Sequence, residues 1–356
     1  MGIKYRNLAA ELRTAIQMGV YRANELLPTE MALVETHQVS RQTVRKALSV
    51  LEEEGLIQRR QGSGSRVLSK PRNAPAERNV AIVATFVDDY LFPSLLHHVQ
   101  LHLEKSGFST LIFSTQNQFN REREILQNLL DNPVRGILIE GVKSTLPNPN
   151  LDLYHQLRSR SIPIVFFHSS YPGLDCVSIA DDNVGGGYLA AEHLLDLGHT
   201  RIGGLFKCDD IQGPQRCAGF FQAMRDRGYP FPDERIIWYS SAGRKKMVEQ
   251  GRTQWMDEFI LRDFRECTAL ICYNDEVAYA LVKALLRLNL RVPRDMAVCS
   301  FDNTYYSDIS PVPITSLSHN TGKLGEEAAF ALLELIQGRS AQSKKVGWTL
   351  VRKKST

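Results

Sequence analysis

A short segment near the N-terminus groups side chains able to hydrogen-bond to nucleic-acid bases and phosphates. SRQTVRKALSVLEEEG, at positions 40–55, places apolar residues at helical spacing along one face. The side chains on the opposite face are Arg41, Gln42, Arg45 and Lys46. Arginine can read guanine with two hydrogen bonds and glutamine can read adenine, whereas lysine, like the hydroxyls of Ser40 and Thr43, suits phosphate. The segment therefore predicts a DNA-reading helix, although such a face can also be an ordinary solvated one.

Neighbouring elements would position this helix. KYRNLAAELRTAIQMG has helical periodicity, and Pro28-Thr29-Glu30 opens a second helix with Thr29 as its N-cap. LIQRRQGSGSRVL alternates around a Gly-Ser-Gly turn, as a two-stranded hairpin does. In a helix-turn-helix, the second helix of the motif enters the major groove. We therefore predict a winged helix-turn-helix over residues 1–68.

The positive charge of the chain is concentrated in the same region. Residues 1–70 contain eleven Lys and Arg against seven Glu and no Asp, an excess equal to the net charge of +4 of all 356 residues. The remaining residues are balanced in charge. Localised positive charge is expected of a module that binds phosphates, so it supports DNA as a partner.

The pattern changes after residue 68. SKPRNAPAER, at 69–78, is polar and contains two prolines, which predicts a linker. From Asn79 onwards apolar strands alternate with amphipathic helices, and about 120 residues of this pattern occur twice. We therefore predict a multidomain chain, with a winged helix-turn-helix followed over 79–356 by an α/β domain of two doubly wound lobes.

Signatures of catalysis, cofactor binding and export are missing from the sequence. There is no G-x-S-x-G or H-E-x-x-H motif, and no nucleotide-binding glycine loop at a strand end. The six cysteines are scattered, so buried free thiols are expected rather than disulfides or a zinc site. The opening MGIKYRNLAAELR does not resemble an export signal, and the apolar runs are too short to span a membrane. We expect a cytoplasmic protein that is not an enzyme, with no catalytic residue, cofactor, metal or membrane partner.

The N-terminal region closely resembles the winged helix-turn-helix of GntR-type regulators. The resemblance lies in LPTEMALVETHQVSRQTVRKALSVLEEEGLIQRRQGSGSRV, with its Pro-[ST]-Glu opening, its V-S-R-x-T-V-R-x-A-L helix and its G-x-G-[TS] wing tip. It implies that Arg41 and Arg45 touch DNA and that Glu30 accepts a hydrogen bond from a cytosine amino group. It also implies that Gln61 and Gly62 of the wing enter the minor groove.

The remainder resembles the sensor domain of LacI/GalR regulators and their periplasmic sugar-binding relatives. The resemblance lies in the ordered blocks DDNVGGGYLAAEHLLDLGHTRIGGLF, CYNDEVAYALVKAL, RVPRDMAVCSFDNT and ITSLSHNTGKLGEEAAFALLELI. It implies two lobes that close over a ligand, with the chain crossing between them near His199, Ser318 and Gly338. The implied lobes are residues 79–198 with 319–338, and residues 199–318 with 339–356.

An effector site is expected at the carboxyl ends of the strands, where open α/β sheets bind ligands. A sugar needs side chains that bond two hydroxyls at once and aromatic rings that stack on its C–H faces. Candidates of these types are Tyr90, Phe92, Glu140, Lys143, His168, Lys207, Arg216, Asn274, Asp302 and His319. The LacI/GalR resemblance implies sugar-binding roles for Arg216, Asn274 and Asp302.

These candidates also have purely structural interpretations. Arg216 and Asp302 could form a structural salt bridge, and Asn274 could cap a strand end. Glu140 and Lys143 could be a surface ion pair, and the aromatic candidates could simply pack.

A GntR-type reader joined to a LacI-type sensor is similar to the arabinose-repressor family of Gram-positive bacteria. The resemblance implies a sequence-specific repressor of sugar-utilisation genes that a pentose, L-arabinose, releases from operator DNA. A homodimer is expected because one small reader contacts too few bases. The alternative is the same regulator with another sugar, a nucleoside or a purine as effector, since Tyr90, Phe92 and Tyr273 could enclose a ring.

Overall fold

The structure, a computed structural model, describes residues 2–17, 20–21, 25–53, 56–60, 64–68, 78–88, 91–230, 233–244 and 254–356. It divides into two compact units, Met1–Glu77 and Arg78–Thr356. Most of the predicted linker, 69–77, lies outside the described residues. Within the described ranges, no helix is both long enough and apolar enough to cross a membrane.

The first unit is a winged helix-turn-helix. Its elements are α1 (Gly2–Gln17), α2 (Glu30–His37), α3 (Arg41–Glu53), β1 (Ile57–Arg60) and β2 (Gly64–Val67). The two strands pair antiparallel, which confirms the predicted hairpin. Thr29 caps α2 by accepting a hydrogen bond from Ala32 N at 3.2 Å. The apolar face of α3, formed by Val44, Ala47 and Leu51, is fully buried against α1 and α2.

The first lobe of the second unit is a six-stranded parallel sheet between helices. Its strands are β3 (Asn79–Ala84), β4 (Ser109–Ser114), β5 (Gly136–Ile139), β6 (Ile164–Phe167), β7 (Val177–Asp181) and β13 (Lys344–Val346). Its helices are α4 (Phe92–Lys105), α5 (Phe119–Asp131), α6 (Leu151–Ser159) and α13 (Thr321–Ile336). The strand order is β13-β7-β6-β5-β3-β4. Alternate residues of β3 join separate apolar clusters, so both faces of the sheet are covered.

The second lobe repeats this architecture. Its strands are β8 (Ile202–Lys207), β9 (Ile236–Tyr239), β10 (Ala269–Cys272), β11 (Ala297–Asp302), β12 (Thr315–Ser318) and β14 (Thr349–Val351). Its helices are α7 (Asn183–Asp196), α8 (Gln212–Asp226), α9 (Ser241–Arg244), α10 (Gln254–Arg262), α11 (Asp275–Arg287) and α12 (Tyr305–Ile309). The strand order is β14-β12-β11-β10-β8-β9, and only the β12–β14 pair is antiparallel within the described sheet.

Two of the three expected crossings between the lobes lie elsewhere. α7 packs on the second sheet, so the first crossing falls at Asp182 rather than near His199. β13 pairs with β7 of the first sheet, so the third crossing follows Val346 instead of lying near Gly338. The lobe bounds drawn at those two points are therefore wrong. The second crossing connects β12 to α13.

The cysteines differ in exposure. All six are free, and four of them are buried, as expected. Cys208 is exposed and Cys176 is half-buried, so the expectation of buried thiols was wrong for these two.

Two glycines allow α7 and α8 to pack at backbone contact distance. A Cβ at Gly187 would lie 1.9 Å from the backbone oxygen of Arg216. A Cβ at Gly219 would lie 1.9 Å from the backbone oxygen of Val184. Because backbone atoms cannot yield as a flexible side chain can, this helix pair requires glycine at both positions.

We predict that Gly187→Ala lowers the free energy of unfolding of the second unit by about 1–3 kcal/mol, because the added methyl overpacks the α7–α8 contact. Urea unfolding followed by tryptophan fluorescence measures this, since all three tryptophans (238, 255 and 348) lie in the second unit. Gly322→Ala is the matched control, because its Cβ would meet only ordinary contacts at 3.5 Å. Equal unfolding midpoints for Gly187→Ala and wild type would contradict the packing argument.

Candidate functional site

The side chains predicted to read DNA lie on the exposed face of α3. The exposed residues are Arg41, Gln42, Arg45 and Lys46. Ser40 Oγ accepts a hydrogen bond from Thr43 N at 3.2 Å and lies 2.8 Å from Thr43 Oγ1. The two hydroxyls therefore organise the start of the helix, where backbone amides and the helix dipole favour a phosphate. Gln61 and Gly62 of the wing lie outside the described residues.

One carboxylate, that of Glu30 at the start of α2, holds three arginines. Arg41 Nε and Arg45 Nε donate to Glu30 Oε2 at 3.1 and 3.0 Å, and Arg59 Nη2 donates to Glu30 Oε1 at 3.2 Å. Partial burial would raise the pKa of Glu30, but the hydrogen bonds and charges of Arg41 and Arg45 hold it below its usual value. In the unbound protein Glu30 thus aligns two predicted DNA-contacting arginines. Glu30 as an acceptor from cytosine stays a prediction.

A cavity of about 670 Å³ lies between the two lobes, at the carboxyl ends of their strands. The predicted effector residues that line it are Phe92, Glu140, Lys143, His168, Lys207, Arg216, Asn274 and Asp302. Tyr90 lies outside the described residues. His319 contacts Asp302 from behind instead of lining the wall. Residues from both lobes that were predicted from strand ends thus line one cavity.

Arg216, on α8, is 1% exposed and is fixed by several contacts. Its Nε donates to Asn183 Oδ1 at 3.0 Å, and its Nη2 donates to Asp302 Oδ1 at 3.4 Å. Its Nη1 donates to the backbone oxygen of Tyr273. The guanidinium carbon lies 4.3 Å from the ring centre of Phe301. Since a buried charge must be paired, the structural salt bridge is real, and the same pair forms part of the cavity wall.

Two further structural interpretations were tested by the geometry. Asn274 Oδ1 accepts from Val277 N at 3.1 Å and caps α11, yet Asn274 also lines the cavity. Glu140 and Lys143 do not form an ion pair with each other. Glu140 bonds to the segment after β3, and Lys143 Nζ lies 5.7 Å from the ring centre of Phe119.

Glu140 is a buried carboxyl group on the cavity wall. Its Oε2 accepts from Thr85 N at 2.7 Å and from Thr85 Oγ1 at 2.6 Å. Burial raises its pKa to about 8, although the two hydrogen bonds from Thr85 oppose the shift. At pH 7 the group is therefore mostly protonated and can donate a hydrogen bond into the cavity.

His168 stays neutral beside the cavity. Burial lowers its pKa to about 4, so its Nδ1 can accept from Gln212 Nε2 at 3.1 Å. Its ring stacks on Phe92, with 5.8 Å between centroids and 17° between planes. Gln212 Oε1 is buried and has no hydrogen-bond partner among the described residues. This end of the cavity thus offers an apolar ring face, and the buried Gln212 amide orients His168.

Several lining residues were missed from the sequence. They include Gln116, Asn117, Asp210, Gln212, Ser241, Arg244 and Glu276. Most of them follow the ends of β4, β8, β9 and β10. The rule that ligands bind at strand ends could therefore have identified these residues as well. The prediction considered only one or two residues after each strand.

Hydrogen bonds join the lobes across the cavity mouth. Asn117 Nδ2 donates to Ser241 Oγ at 3.0 Å, and Thr145 Oγ1 donates to Cys208 O at 2.7 Å. Ile211 N donates to Ser144 Oγ at 2.9 Å. The two lobes are therefore in direct contact, with the cavity lying between them.

A cluster that extends inwards from the cavity wall has the spacing of a metal site. His168, Asp181 and His319 each offer an atom within 4.8 Å of the others. Both ring nitrogens of His319 are engaged, by Asp181 Oδ1 at 3.1 Å and Asp302 Oδ1 at 2.8 Å. Burial would lower the pKa of His319, but Asp181 and Asp302 outweigh it and raise the pKa to about 9. Metals need neutral imidazole, so this cluster suits hydrogen bonding, and the absence of a metal stays a prediction.

We predict that Glu140→Gln becomes more stable relative to wild type as pH rises from 5 to 8. The folded protein binds a proton on Glu140 that the unfolded chain releases near pH 4.5, so this group's contribution is lost as pH approaches about 8. Gln keeps an acceptor for Thr85 without the charge. The difference in unfolding free energy should grow by at least about 1 kcal/mol, measured with urea at pH 5, 6, 7 and 8. A constant difference across this range would contradict the raised pKa.

Both units match known families. Residues 4–67 match the bacterial regulatory proteins of the gntR family, and residues 191–356 match a periplasmic binding protein-like domain. Among solved structures, the transcriptional regulator CelR–cellobiose complex has a TM-score of 0.67 at 21% identity, covering 90% of this chain and 92% of that one. The transcription regulator CcpA of Lactococcus lactis has a TM-score of 0.68 at 18% identity, covering 79% of this chain and 99% of that one. These likenesses confirm the predicted fold.

Two relatives extend the match along almost the whole chain. The arabinose metabolism transcriptional repressor of Geobacillus stearothermophilus is 35% identical over 352 residues, or 98% of this chain and 95% of that protein. The protein of the same name from Halalkalibacterium halodurans is 33% identical over 343 residues, or 95% and 90%. Such identity over both units, joined in the same order, shows the family. The chain belongs to the family of the arabinose metabolism transcriptional repressors.

Proposed function

We propose that this protein binds operator DNA and releases it when a neutral pentose, L-arabinose, fills the cavity. The main evidence for a neutral ligand is the balance of positive and negative side chains on the cavity wall. Among the described lining residues, the charged side chains are Lys143, Lys207, Arg216 and Arg244 against Asp88, Asp210, Glu276 and Asp302. Glu140 and His168 add almost no charge at pH 7, because their pKa values are about 8 and 4. A balanced wall favours an uncharged polar ligand over a phosphate ester or an acid.

The wall also supplies the donors, acceptors and apolar face that a sugar needs. Protonated Glu140 can donate to a hydroxyl, and the carboxylate of Asp302 can accept from one. The amide of Asn274 can donate, because its oxygen already caps α11. Phe92 can cover the C–H face of a sugar ring. The names of the relatives supply arabinose as the particular pentose.

The DNA-binding role rests on the exposed face of α3. Arg41 and Arg45 are 60% and 56% exposed and are held by Glu30, so they are pre-aligned to donate to base edges. Gln42 lies beside them, and Lys46 lies 4.7 Å from the ring centre of Tyr5, where it can reach a phosphate. Ser40 and Thr43, with Gln61 and Gly62 of the wing, complete the proposed contact set.

A second copy of the chain is proposed as partner, because paired readers reach two half-sites. The exposed edge of the first lobe supports this. β4 is the edge strand of its sheet, and it exposes Leu111 and Ile112. Leu101 of α4, which packs beside β4, is exposed as well. An open strand edge with apolar side chains is suited to burial against an identical surface.

We predict that saturating L-arabinose lowers the affinity of the full-length protein for operator DNA at least tenfold. The reason is that the sugar binds the two lobe arrangements unequally and thereby shifts their populations. A duplex selected in vitro for tight binding serves as operator, with affinity read by fluorescence anisotropy and stoichiometry by sedimentation. Two chains per duplex are expected.

The same protein is titrated calorimetrically with L-arabinose, ribose, xylose and adenosine. Binding heat with adenosine alone would show that the effector is a nucleoside rather than a pentose. The proposed role as a DNA-binding regulator would be unaffected. Unchanged operator affinity at saturating arabinose would refute release by that sugar.

We predict that Arg45→Ala weakens binding to the selected operator by about 1–3 kcal/mol, because a base contact is lost. Arg41 and Arg59 still neutralise Glu30 in this variant, so the fold of the unit is kept. Binding to a scrambled duplex at the same salt concentration should change much less, and sugar affinity should not change. Arg121→Ala, an exposed arginine of α5, is the control for loss of one positive charge. Equal losses on both duplexes would show that Arg45 contacts phosphate rather than bases.

A further inference from the structure

The three chain crossings between the lobes meet at one side chain, His319. It lies in the second crossing, between β12 and α13. Its Nδ1 is 3.1 Å from Asp181 Oδ1, where β7 ends and the first crossing begins. Its ring centre is 4.2 Å from that of Trp348, which lies in the third crossing between β13 and β14. His319 therefore contacts every segment through which rotation of one lobe against the other must be absorbed.

His319 also connects the crossings to the cavity. Its Nε2 is 2.8 Å from Asp302 Oδ1, the same oxygen that accepts from Arg216 Nη2. Asp302 ends β11 of the second sheet and lines the cavity, whereas Asp181 belongs to the first sheet. The two hydrogen bonds of His319, here called the His319 bridge, thus join one lobe to the other. A ligand that contacts Asp302 contacts one end of this bridge.

The bridge is ionic and buried. Carboxylates only accept, so each ring nitrogen of His319 has to donate and the imidazole is a cation. The side chains of His319, Asp181 and Asp302 are 2%, 1% and 4% exposed. Asp181 Oδ2 has no hydrogen-bond partner among the described residues, so Asp181 depends on His319 for its pairing. Separating a buried ion pair leaves an uncompensated charge, which makes the bridge resist changes in the lobe angle.

We propose that His319 is a positioning residue that transmits sugar contact at Asp302 to the angle between the lobes. This inference rests on the proposed release of DNA by a sugar. A sugar hydroxyl that donates to Asp302 Oδ1 competes with His319 for that oxygen. The bridge then weakens and the lobes turn about their crossings. Without the bridge, the sugar can still occupy the cavity but no longer changes the affinity for DNA, since coupling requires a difference between the two states.

His319→Gln tests the inference in the full-length protein. The glutamine side chain is neutral and has a single amide nitrogen. It therefore cannot donate to both Asp181 and Asp302, which lie on opposite sides of the imidazole. At saturating L-arabinose, confirmed by calorimetry for each variant, the sugar-induced drop in operator affinity should shrink at least tenfold relative to wild type. Sugar-free operator affinity should fall towards that of sugar-saturated wild type, because the bridge that the sugar weakens is already absent. His193→Gln is the matched control, a buried histidine of α7 bonded to Thr356 Oγ1 and to no crossing residue. A drop equal to that of wild type at saturation would overturn the proposal.

A second variant shows whether loss of coupling in His319→Gln is only misfolding. A measurement without sugar tests the bridge even where arabinose is not the effector. Asp181→Ala removes both the acceptor and the charge at the first-lobe end of the bridge, outside the cavity wall, and it should lose coupling in the same way. Amide hydrogen exchange without sugar should accelerate at least threefold in peptides covering 177–184 and 344–349 in both variants but not in His193→Gln. Unchanged exchange in these peptides would show that the His319 bridge does not stabilise the crossings and would overturn the proposal. If wild type itself ignores arabinose, the proposed effector fails, and the exchange result alone decides the inference.

Discussion

The buried positive charge of Arg216 has to be neutralised, and the arrangement of the sensor follows from this requirement. Asp302 supplies the compensating charge, and the ring of Phe301 covers the guanidinium. The backbone at Arg216 lies directly against Gly187, so the close contact of α7 and α8 sets where the arginine sits. Because Asp302 ends a strand at the cavity, the ion pair is at once a packing element and a ligand-facing surface. An effector that binds there meets groups whose positions the core already determines.

A single carboxylate has a comparable organising effect in the DNA-binding unit. Glu30 collects Arg41 and Arg45 from α3 and Arg59 from the hairpin, so it links both structural parts of the reader. Side chains held in this way lose less conformational freedom when they bind. The proposed base contacts require them to leave Glu30, at least in part. The reader is therefore ordered before binding and has a built-in competitor for its arginines.

The sequence predicted elements well and long-range connections less well. Periodicity located the apolar face of α3 and four strands of each six-stranded sheet, because burial leaves a local pattern. It placed the crossings wrongly at His199 and Gly338, because no local pattern says which sheet α7 covers or that the short polar strand β13 adds to the first lobe. Strand ends identified the cavity wall for the same local reason. His319 was wrongly assigned to the cavity wall. Its position behind Asp302 depends on three segments that are distant in the sequence, so no local pattern shows it.

The discontinuous lobes have a consequence for how the chain is made. The first sheet and its helix α4 lack part of their apolar cover until α13 and β13, at residues 321–346, have been synthesised. Apolar side chains of α4 and β6, including Leu95 and Phe167, have no complete partner surface during most of translation. The sensor therefore cannot be completed lobe by lobe from the ribosome, and its folding depends on contacts of large sequence separation. The DNA-binding unit, built from one continuous segment, is under no such constraint.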